Sequence, residues 1–394
     1  MISVAEAKKI IKENTEALPP KKIMLQQAEG LVLAEDVFAL TTVPGFPQSS
    51  MDGYALSFKD LQVNRKLKIS GVIAAGSSHK GSLLPGNAVR IFTGAAVPPG
   101  ADTVVMQEKT KVENGELIVE DDKLKKGMHV RPEGAEIKTG ELALVENSLL
   151  TPAAIGFLTA VGITEVMAYT HPVISIIITG DELQEPGKPL QYGQVYEANS
   201  FTLKAALQYL RINDVKILFA KDNLAILAAV LTDALATSDV VFLTGGISVG
   251  DFDFVLQATI NNGVQKLFHK IKQRPAKPFY FGKKRNKYVF GLPGNPASGL
   301  TSFYEYAAPA IGIMCKRNYN LQTLMAPLKN SFEKPAGLTH FLKGFYDNET
   351  VIVLDGQESY KLSSFAKANC LIQVDEDITV CAAQEMMEIH LLPI

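Results

Sequence analysis

The stretch "VISIIITG" at residues 173–180 decides the fold of this 394-residue chain. It is a continuous run of mostly β-branched apolar residues, which is typical of a strand buried on both faces of a sheet. A helix pattern, "NSFTLKAALQYL", follows at residues 199–210, and another strand-like run, "VKILFA", follows at residues 215–220. The alternation continues to about residue 320, and it predicts right-handed βαβ units in a doubly wound, mainly parallel sheet.

Outside this section the texture of the sequence changes. Short β-like runs such as "KLKISGVI" and "AVRIFTG" alternate with Gly, Pro and charged turns, which is typical of an all-β domain. Helical patterns flank that domain: Ser3 and Glu6 are spaced as a capping box, and Thr151 and Pro152 fit a helix start. The sequence thus predicts an α/β multidomain protein with a split helical N-terminal domain (1–43 with 142–170), an inserted β domain (44–141), a doubly wound α/β domain (171–320) and a small C-terminal β domain (321–394).

The overall composition excludes several classes of protein. Apolar residues make up 47% of the chain and the formal net charge is −2, so nothing draws the whole molecule to nucleic acid or to an anionic membrane. The three cysteines are scattered without a CxxC pair, which argues against structural zinc or a disulfide framework and favours a cytoplasmic location. Lys8, Lys9 and Glu13 interrupt the N-terminal apolar pattern, which predicts an amphipathic helix and no signal peptide.

Distinctive residues cluster where the predicted parallel strands end. In open parallel sheets, ligands bind beyond the carboxyl ends of the strands, where backbone amides and helix N-termini face the solvent. We therefore expect glycine-rich turns and carboxylates from four strands to meet at one edge of one sheet. The residues concerned are Asp181, Glu182, Asp222, Gly245, Gly246, Ser248, Gly250, Asp251, Asp253, Gly294, Asn295, Pro296 and Ser298.

The residue types at this edge indicate an anion and a divalent cation. Glycines let backbone amides approach an anion closely because no Cβ intervenes. Carboxylates suit Mg²⁺, which is typically held by one or two carboxylates together with phosphate oxygens. The segment "KIKQRPAKP" at residues 270–278 could bring Arg274 and Lys277 to the same anion.

Each of these features also has a plain structural interpretation. Asp181 and Glu182 could stabilise a helix N-terminus, and Asp222 could cap the helix that follows it. Asp251 and Asp253 could be a helix cap and a first-turn acid. Their joint placement favours a functional site. The chain has no GxGxxG followed by a ribose-binding acid and no GxxxxGK followed by Ser or Thr, which disfavours a dinucleotide oxidoreductase or a P-loop enzyme.

The segment "SSMDGYA" at residues 49–55 raises a separate question. It is neither helix-periodic nor strand-alternating, and a surface turn would need its Asp and Gly but not the large Met51 and Tyr54. Asp52 could bond its own backbone in a turn, or it could present its carboxylate to a ligand. These residues alone leave both interpretations open.

Seven motifs in order along the chain resemble those of the molybdopterin molybdenumtransferases, the enzymes of the last step of molybdenum cofactor synthesis. That family includes the catalytic C-terminal part of gephyrin. The motifs are "SMDGYA" (50–55), "FTGAAVPPGADTVVMQE" (92–108), "VRPEGAEI" (130–137), "TGDEL" (179–183), "TGGISVGDFD" (244–253), "RPAKP" (274–278) and "GLPGNPAS" (291–298).

The resemblance implies a fold that agrees with the predicted domains, with the α/β domain binding molybdopterin, and it implies a reaction. Adenylylated molybdopterin and molybdate would be converted to molybdenum cofactor and AMP, with Mg²⁺ as the cofactor. The family pairs as a homodimer, with its active cleft between the α/β domain of one subunit and the inserted domain of the other. Asp52 with Thr93 would therefore reach across the dimer. Transient contacts with molybdopterin adenylyltransferase and with molybdoenzymes are also implied, but none with nucleic acid or membrane.

The resemblance further assigns roles to individual residues. Asp222 and Asp253 would lie near the Mg²⁺ and the pyrophosphate, with Glu182 in the same acidic group. The phosphate or molybdate pocket would be lined by Gly245, Gly246 and Ser248. Molybdate would be bound by Arg274, Lys277 and Ser298. The remaining substrate-binding residues would be Asp181, Pro278, Gly294 and Asn295.

The chain departs from the family pattern at three places. Arg274 stands where lysine is frequent, and Glu136 stands where aspartate is common. In the C-terminal domain the usual arginine-bearing stretch reads "GLTHFLKG", so Lys343 could act as a substitute point charge, and Ser359 matches the family serine only roughly. A second molybdate contact in that domain therefore remains an open question.

The sequence disfavours two alternative functions. Molybdopterin adenylyltransferase uses the same kind of α/β unit, but the inserted domain and "SMDGYA" argue against it. A non-catalytic scaffold of the gephyrin kind would normally have a long disordered linker or a second α/β unit, and neither is seen in the sequence.

Overall fold

The computed structural model describes residues 1–77, 81–245 and 254–393. Within that part of the chain, the helices are all too short or too polar to cross a bilayer. The α-helices, numbered in chain order, are α1 (Val4–Asn14), α2 (Phe58–Val63), α3 (Pro152–Ala160), α4 (Asn199–Tyr209), α5 (Leu224–Thr237), α6 (Phe254–Asn261), α7 (Pro296–Ser302), α8 (Ala308–Met314) and α9 (Leu362–Phe365).

One unit of the structure, here called the β unit, comprises Lys22–Ala168. The strands numbered from the start of the chain are β1 (Lys21–Met24), β2 (Val32–Leu33), β3 (Val37–Phe38), β4 (Gln48–Ser49), β5 (Gly53–Leu56), β6 (Lys66–Ile73), β7 (Asn87–Ile91), β8 (Thr103–Met106), β9 (Thr110–Glu113), β10 (Glu116–Val119), β11 (Val130–Arg131), β12 (Leu142–Leu144) and β13 (Glu165–Tyr169). The largest sheet has the order β8-β5-β7-β6-β10-β9, and β1, β13 and β2 form a smaller one.

The large sheet of the β unit is apolar on both faces. Ala55 and Val104 enter one hydrophobic cluster, whereas their chain neighbours Leu56 and Val105 enter another. This follows from the two-residue period of a strand, which sends successive side chains to opposite faces. The central strands β5, β7 and β8 are thus buried on both sides, whereas β6 and β9 are largely exposed.

Segments from both flanks of that sheet share a third cluster in the β unit. Leu33 comes from the N-terminal side and Leu158 from the C-terminal side. Helix α3 begins as predicted: the Thr151 side chain accepts a hydrogen bond of 3.2 Å from the Ala154 amide, and Pro152 occupies the first turn. The predicted helix start is therefore confirmed.

The other unit, here called the α/β unit, joins Met1–Lys21 to Tyr169–Ile394. Its remaining strands are β14 (Ile174–Thr179), β15 (Leu183–Gln184), β16 (Val195–Tyr196), β17 (Val215–Ala220), β18 (Val240–Thr244), β19 (Gln265–Phe268), β20 (Gln273–Arg274), β21 (Tyr280–Lys284), β22 (Lys287–Leu292), β23 (Gln322–Pro327), β24 (Phe332–Glu333), β25 (Thr339–Tyr346), β26 (Val351–Val353), β27 (Cys370–Val374), β28 (Val380–Cys381) and β29 (Met386–Leu391).

The main sheet of the α/β unit has the order β17-β14-β18-β22-β21-β19. The first four strands are mutually parallel, and β21 runs antiparallel to both β22 and β19. Helices cover both faces, because Ile176 packs in a cluster with Leu203 of α4 while the next residue, Ile177, packs with Leu227 of α5. The predicted doubly wound, mainly parallel sheet is confirmed.

Helix α1 packs in this α/β unit. The Ser3 side chain caps it by accepting from the Glu6 amide at 3.1 Å, as the capping-box spacing predicts. Its buried residues Val4, Ala7 and Ile11 join the core of the main sheet. The predicted grouping of residues 1–43 with 142–170 differs from this packing, because an amphipathic period shows that one helix face is buried but not which partner buries it.

The C-terminal strands form a second six-stranded sheet with the order β20-β25-β27-β29-β23, in which β26 also pairs with β25. Strand β20 comes from the basic segment that precedes β21, and it pairs in parallel with β25, where Arg274 lies opposite His340. This pairing ties the basic segment of the α/β part to the C-terminal sheet.

Candidate functional site

The carboxyl ends of four parallel strands lie side by side in the α/β unit. Thr179 at the end of β14 pairs with Ala220 at the end of β17. Thr244 at the end of β18 pairs with Ile178 on one side and with Leu292 at the end of β22 on the other. The turns that follow these strands therefore leave the sheet at one edge, here called the strand-end edge, as the sequence predicts.

Close backbone approach at the strand-end edge depends on glycine. Gly245 has a φ of +84°, and a Cβ added to it would lie 2.6 Å from the Thr179 carbonyl oxygen. Gly294 is also close, since its Cβ position is 3.5 Å from the Gly245 Cα. The Asn199 side-chain amide donates to the Gly294 carbonyl at 2.9 Å. Sequence reasoning missed Asn199, although the polar run "EANS" at the start of α4 marks it.

Asp222 presents a carboxylate at this edge. The helix that follows is capped by Asn223, whose side-chain oxygen accepts from the Ile226 amide at 3.1 Å. Asp222 is exposed, and within the described part of the chain no hydrogen bond or ion pair engages its carboxylate. The capping interpretation of Asp222 is therefore wrong, and its oxygens remain available to a cation.

Asp181, the first of the two acidic residues that follow β14, borders a cavity of about 750 Å³. Lys221 and the exposed rings of Phe201 and Phe219 also line it. The Glu182 carboxylate folds back over the preceding glycine, because a Cβ on that glycine would lie 2.8 Å from the carboxylate oxygen Oε2. Asp181 and Glu182 are thus adjacent in sequence, with Asp181 on the cavity wall and Glu182 over the backbone.

The basic segment lies at the same edge of the main sheet. Because β21 is antiparallel to β22, its first residue, Tyr280, pairs with Gly291 near the carboxyl end of β22. The residues just before Tyr280 therefore reach the strand-end edge. Of these residues, Lys277 is exposed and Pro278 is half-buried. Arg274 lies further back, in β20, where it is exposed and pairs with His340 of β25. Both cations are open to solvent, and their predicted contact with an anion stays a prediction.

Helix α7 starts at the strand-end edge with Asn295 as its N-cap residue. The Asn295 side-chain amide donates to the Ser359 hydroxyl at 2.8 Å. Ser298, in the first turn of the helix, is buried with 2% of its surface exposed. This edge thus includes a contact from the C-terminal part of the chain, which the sequence indicates only weakly.

Several predicted site residues lie outside the described residues, namely Gly246, Ser248, Gly250, Asp251 and Asp253. Next to this segment, the buried Thr244 hydroxyl has no hydrogen-bond partner among the described residues. Among those residues no group of three His, Cys, Asp or Glu side chains is placed to hold a metal ion. The exposed carboxylates of Asp181 and Asp222 would still fit Mg²⁺, because this ion needs only one or two carboxylates and completes its shell with water and phosphate oxygens.

The other predicted group, Asp52 and Thr93, lies in the β unit. Asp52 Oδ1 accepts hydrogen bonds from the Thr93 amide at 2.8 Å and from the Thr93 hydroxyl at 2.9 Å. These two bonds, with a smaller effect of the Arg90 guanidinium, hold the pKa of the Asp52 carboxyl below its usual value. The next residue packs closely on β8, since a Cβ on Gly53 would lie 1.8 Å from the Val105 carbonyl oxygen. The turn therefore presents an ionised, oriented carboxylate to solvent.

Arg90 supports this turn, and sequence reasoning missed it. Its guanidinium donates to the Gly53 carbonyl at 3.1 Å and to the Gln107 side chain. It also lies over the rings of Tyr54 and Phe92, 5.1 and 5.0 Å from their centroids. The only signal in the sequence is a lone arginine within the apolar strand run "AVRIF".

Fold and site together define a class: a doubly wound α/β protein whose strand-end edge combines glycine turns, carboxylates and cations suited to a phosphorylated ligand. Family models match the chain over residues 2–162 (MoeA N-terminal region, domain I and II), 175–312 (probable molybdopterin binding domain) and 325–392 (MoeA C-terminal region, domain IV). The chain belongs to the molybdopterin molybdenumtransferase family, whose members are transferases.

Curated relatives match almost the whole chain. A molybdopterin molybdenumtransferase of Haemophilus influenzae is 35% identical over 373 residues, covering 93% of this chain and 92% of the relative. Molybdopterin molybdenumtransferase 2 of Mycobacterium tuberculosis is 32% identical and covers 99% of both chains. A crystal structure of a molybdopterin biosynthesis protein from Pyrococcus horikoshii has a TM-score of 0.80 at 27% identity, over 99% of each chain. The predicted resemblance is therefore confirmed.

Proposed function

We propose that this protein inserts molybdate into adenylylated molybdopterin and releases AMP, giving molybdenum cofactor. The observation that supports the proposal is the in-register convergence of four strand ends, two of which are closely followed by Asp222 and Gly245; Arg274 and Lys277 are exposed in the segment before β21. The reaction needs a site that holds a phosphoanhydride and an oxyanion together. Backbone amides at glycine turns and exposed cations are the groups that neutralise such charges.

The chain's own residues supply most of this chemistry. Exposed Arg274 and Lys277 offset the double negative charge of molybdate as it approaches a phosphate dianion. Glycine is required at residue 245 by its φ of +84° and by the nearby Thr179 carbonyl oxygen, and its backbone amide at the strand end would be one of the donors to phosphate oxygens. Mg²⁺ held by Asp222, with Asp253 as the second carboxylate, would withdraw negative charge from the anhydride and stabilise the leaving phosphate. Asp181 on the cavity wall and Glu182 over the Gly180 backbone would add negative charge to the same edge.

We further propose that two copies of the chain form a homodimer that shares its active sites. The support is the Asp52 turn, in which an ionised carboxylate is held toward solvent by Thr93. A residue that is oriented this firmly and is exposed suits contact with a second subunit. Size-exclusion chromatography with light scattering tests the dimer, and a monomer at micromolar concentration would contradict it.

The scattered cysteines, all buried, support a cytoplasmic location. There the protein would receive adenylylated molybdopterin by transient contact with molybdopterin adenylyltransferase and would pass the product to molybdoenzymes. We propose neither nucleic acid nor membrane as a partner.

The test is an assay of AMP release from adenylylated molybdopterin. The purified protein should release AMP when molybdate is added, and molybdenum should be recovered on the pterin in equal amount. As the control, the same protein with ATP and molybdopterin should give no adenylylated product. Production of that intermediate from ATP would instead identify a molybdopterin adenylyltransferase, and binding without turnover would identify a scaffold.

A further inference from the structure

Lys343 on β25 is a buried lysine whose ammonium group is fully engaged. Only 4% of its surface is exposed. Its Nζ donates to the carbonyl oxygens of Gly356 at 2.5 Å, Glu358 at 3.2 Å and Lys361 at 3.2 Å. A lysine ammonium has three N–H donors and no acceptor. Every donor is therefore used within the protein, and the predicted use of Lys343 as a point charge for molybdate does not agree with this geometry.

The loop of residues 355–361 is folded around Lys343. Gln357 accepts from the Lys343 amide at 2.9 Å and donates to the Lys343 carbonyl at 2.8 Å. The Gln357 side chain also donates to the Leu354 carbonyl at 2.7 Å. The backbone and the side chain of Lys343 thus hold the same loop from both sides, which fixes its shape.

This loop reaches the strand-end edge through one residue. The Ser359 hydroxyl accepts a hydrogen bond of 2.8 Å from the side-chain amide of Asn295. Asn295 lies between the β22 turn and helix α7, beside Gly294. Because an asparagine amide is planar, fixing one N–H also fixes the second N–H and the oxygen. The bond therefore sets the direction in which Asn295 offers its remaining N–H.

We propose that Lys343 is a positioning residue: it holds the 355–361 loop so that Ser359 orients the Asn295 amide toward the incoming oxyanion. The inference rests on the proposed function, since it concerns the affinity of the same site for molybdate. It assigns Lys343 no contact with the anion. Lys343 would affect molybdate binding indirectly: its ammonium group holds the 355–361 loop, and the loop holds Asn295.

Steady-state kinetics of molybdate-dependent AMP release test the route. Ser359→Ala and Lys343→Met should each raise the KM for molybdate about fivefold, the effect expected from one misplaced hydrogen bond between uncharged groups. The kcat should change by less than about twofold, because the lost interaction serves binding. Ser359→Thr keeps the hydroxyl and should restore a nearly normal KM.

The double variant separates positioning from direct binding. If Lys343 acts only through Ser359, then adding Lys343→Met to Ser359→Ala raises the KM no further. A direct contact between Lys343 and molybdate predicts a second rise of the same size, and that result would overturn the proposal. Should Lys343→Met fail to fold, Gln357→Ala loosens the same loop and takes its place in the double variant.

Lys334 offers a matched control in the same C-terminal region. It is also buried, with 6% of its surface exposed, and its Nζ donates to the carbonyls of Leu338 at 3.0 Å and Glu376 at 3.4 Å. Lys334→Met removes an equivalent lysine-to-carbonyl contact away from Asn295. It should lower the thermal midpoint while leaving the KM for molybdate unchanged.

Hydrogen exchange gives a readout that does not depend on turnover. Amides of the 355–361 loop should exchange faster in Lys343→Met than in wild type, and at the wild-type rate in Lys334→Met. Unchanged exchange in Lys343→Met would overturn the proposal even if the enzyme were inactive. Absence of molybdate-dependent AMP release from the wild type would instead contradict the proposed function, so the two failures are distinguishable.

Discussion

The strand-end edge and the Asp52 turn each present an exposed carboxylate, but the two carboxylates are engaged differently. Asp52 Oδ1 receives two hydrogen bonds from Thr93, whereas nothing in the described part of the chain bonds the Asp222 carboxylate. Hydrogen bonds orient a carboxylate and use its lone pairs, so Asp52 suits the orientation of a ligand or a neighbouring subunit. A carboxylate without such bonds keeps its oxygens for a cation. The comparison therefore favours a positioning role for Asp52 and the proposed metal-binding role for Asp222.

Replacement of Asp222 should have the largest effect on turnover. If Asp222 holds Mg²⁺ as proposed, Asp222→Ala would remove a ligand of that cation, and AMP release should fall by about 1,000-fold, equal to ~4 kcal/mol of barrier. The far-UV circular dichroism spectrum and the thermal midpoint of Asp222→Ala should match those of the wild type, because the side chain is exposed. Turnover within about threefold of wild type would remove Asp222 from the metal site.

The adjacent residue provides the control for Asp222. Asn223 caps α5, and Asn223→Ala should lower stability by about 1 kcal/mol through loss of that cap. Its effect on kcat should be small in comparison. If both variants lost activity equally, the loop itself, rather than the Asp222 carboxylate, would carry the effect.

The stability of the Asp52 turn should depend most on the close backbone packing of Gly53. Gly53→Ala would bring a Cβ to 1.8 Å from the Val105 carbonyl oxygen, so strands β5 and β8 must separate. We expect a loss of about 3 kcal/mol in the free energy of unfolding, at the upper end for overpacking. Denaturant unfolding measures it. Gly94→Ala is the matched control, since Gly94 has a φ of +80° but no atom near its Cβ position, and it should cost only about 1 kcal/mol.

The two regions also differ in how far sequence alone predicts them. Strands Ile174–Thr179, Val240–Thr244 and Lys287–Leu292 are apparent as apolar runs, and their parallel order places their ends together. The period of a strand is a local property, so one sequence is enough to reveal it. The convergence of the strand-end edge therefore follows from the alternation of strands and helices.

The polar contacts that complete the site could not be predicted in this way. The bonds from Asn295 to Ser359 and from Asn199 to Gly294 join residues separated by 64 and 95 positions. Such pairs have no period and no spacing that a single sequence can show. Lys343 is misleading for another reason: its charge indicates exposure, yet three backbone carbonyls compensate its burial.

Mixed dimers test whether the two carboxylates act in one site. If the proposed homodimer shares its active sites, Asp52→Ala alone should lower turnover by about 30-fold, because the partner's surface would no longer orient the substrate. Co-refolding Asp52→Ala chains with Asp222→Ala chains should recover about a quarter of wild-type activity, since half the dimers are mixed and each has one intact site. No recovery would mean that Asp52 serves the site of its own chain.

A smaller effect is expected in the pH dependence of stability, which should differ between the α/β unit and the β unit. The buried His390 ring lies 2.6 Å from Glu305 Oε1 and 3.0 Å from Glu388 Oε1, and Lys8 bonds the other Glu305 oxygen at 2.7 Å. Burial disfavours the charged ring, but the hydrogen bond and charge of Glu305 outweigh it and hold the pKa of His390 above its usual value. This contribution to stability is complete below about pH 6.5, the unfolded pKa, and is lost as the pH rises through the folded pKa.

The β unit should respond in the opposite direction. Thr93 lowers the pKa of Asp52, so the contribution of Asp52 is complete above its unfolded pKa of about 4 and is lost as the pH falls through the folded pKa. The difference in thermal midpoint between wild type and His390→Gln should therefore shrink on the alkaline side. The difference between wild type and Asp52→Asn should shrink on the acidic side. If both differences in thermal midpoint shrank on the same side of the pH range, at least one of the two contacts, Asp52 with Thr93 or His390 with Glu305, would not form in solution.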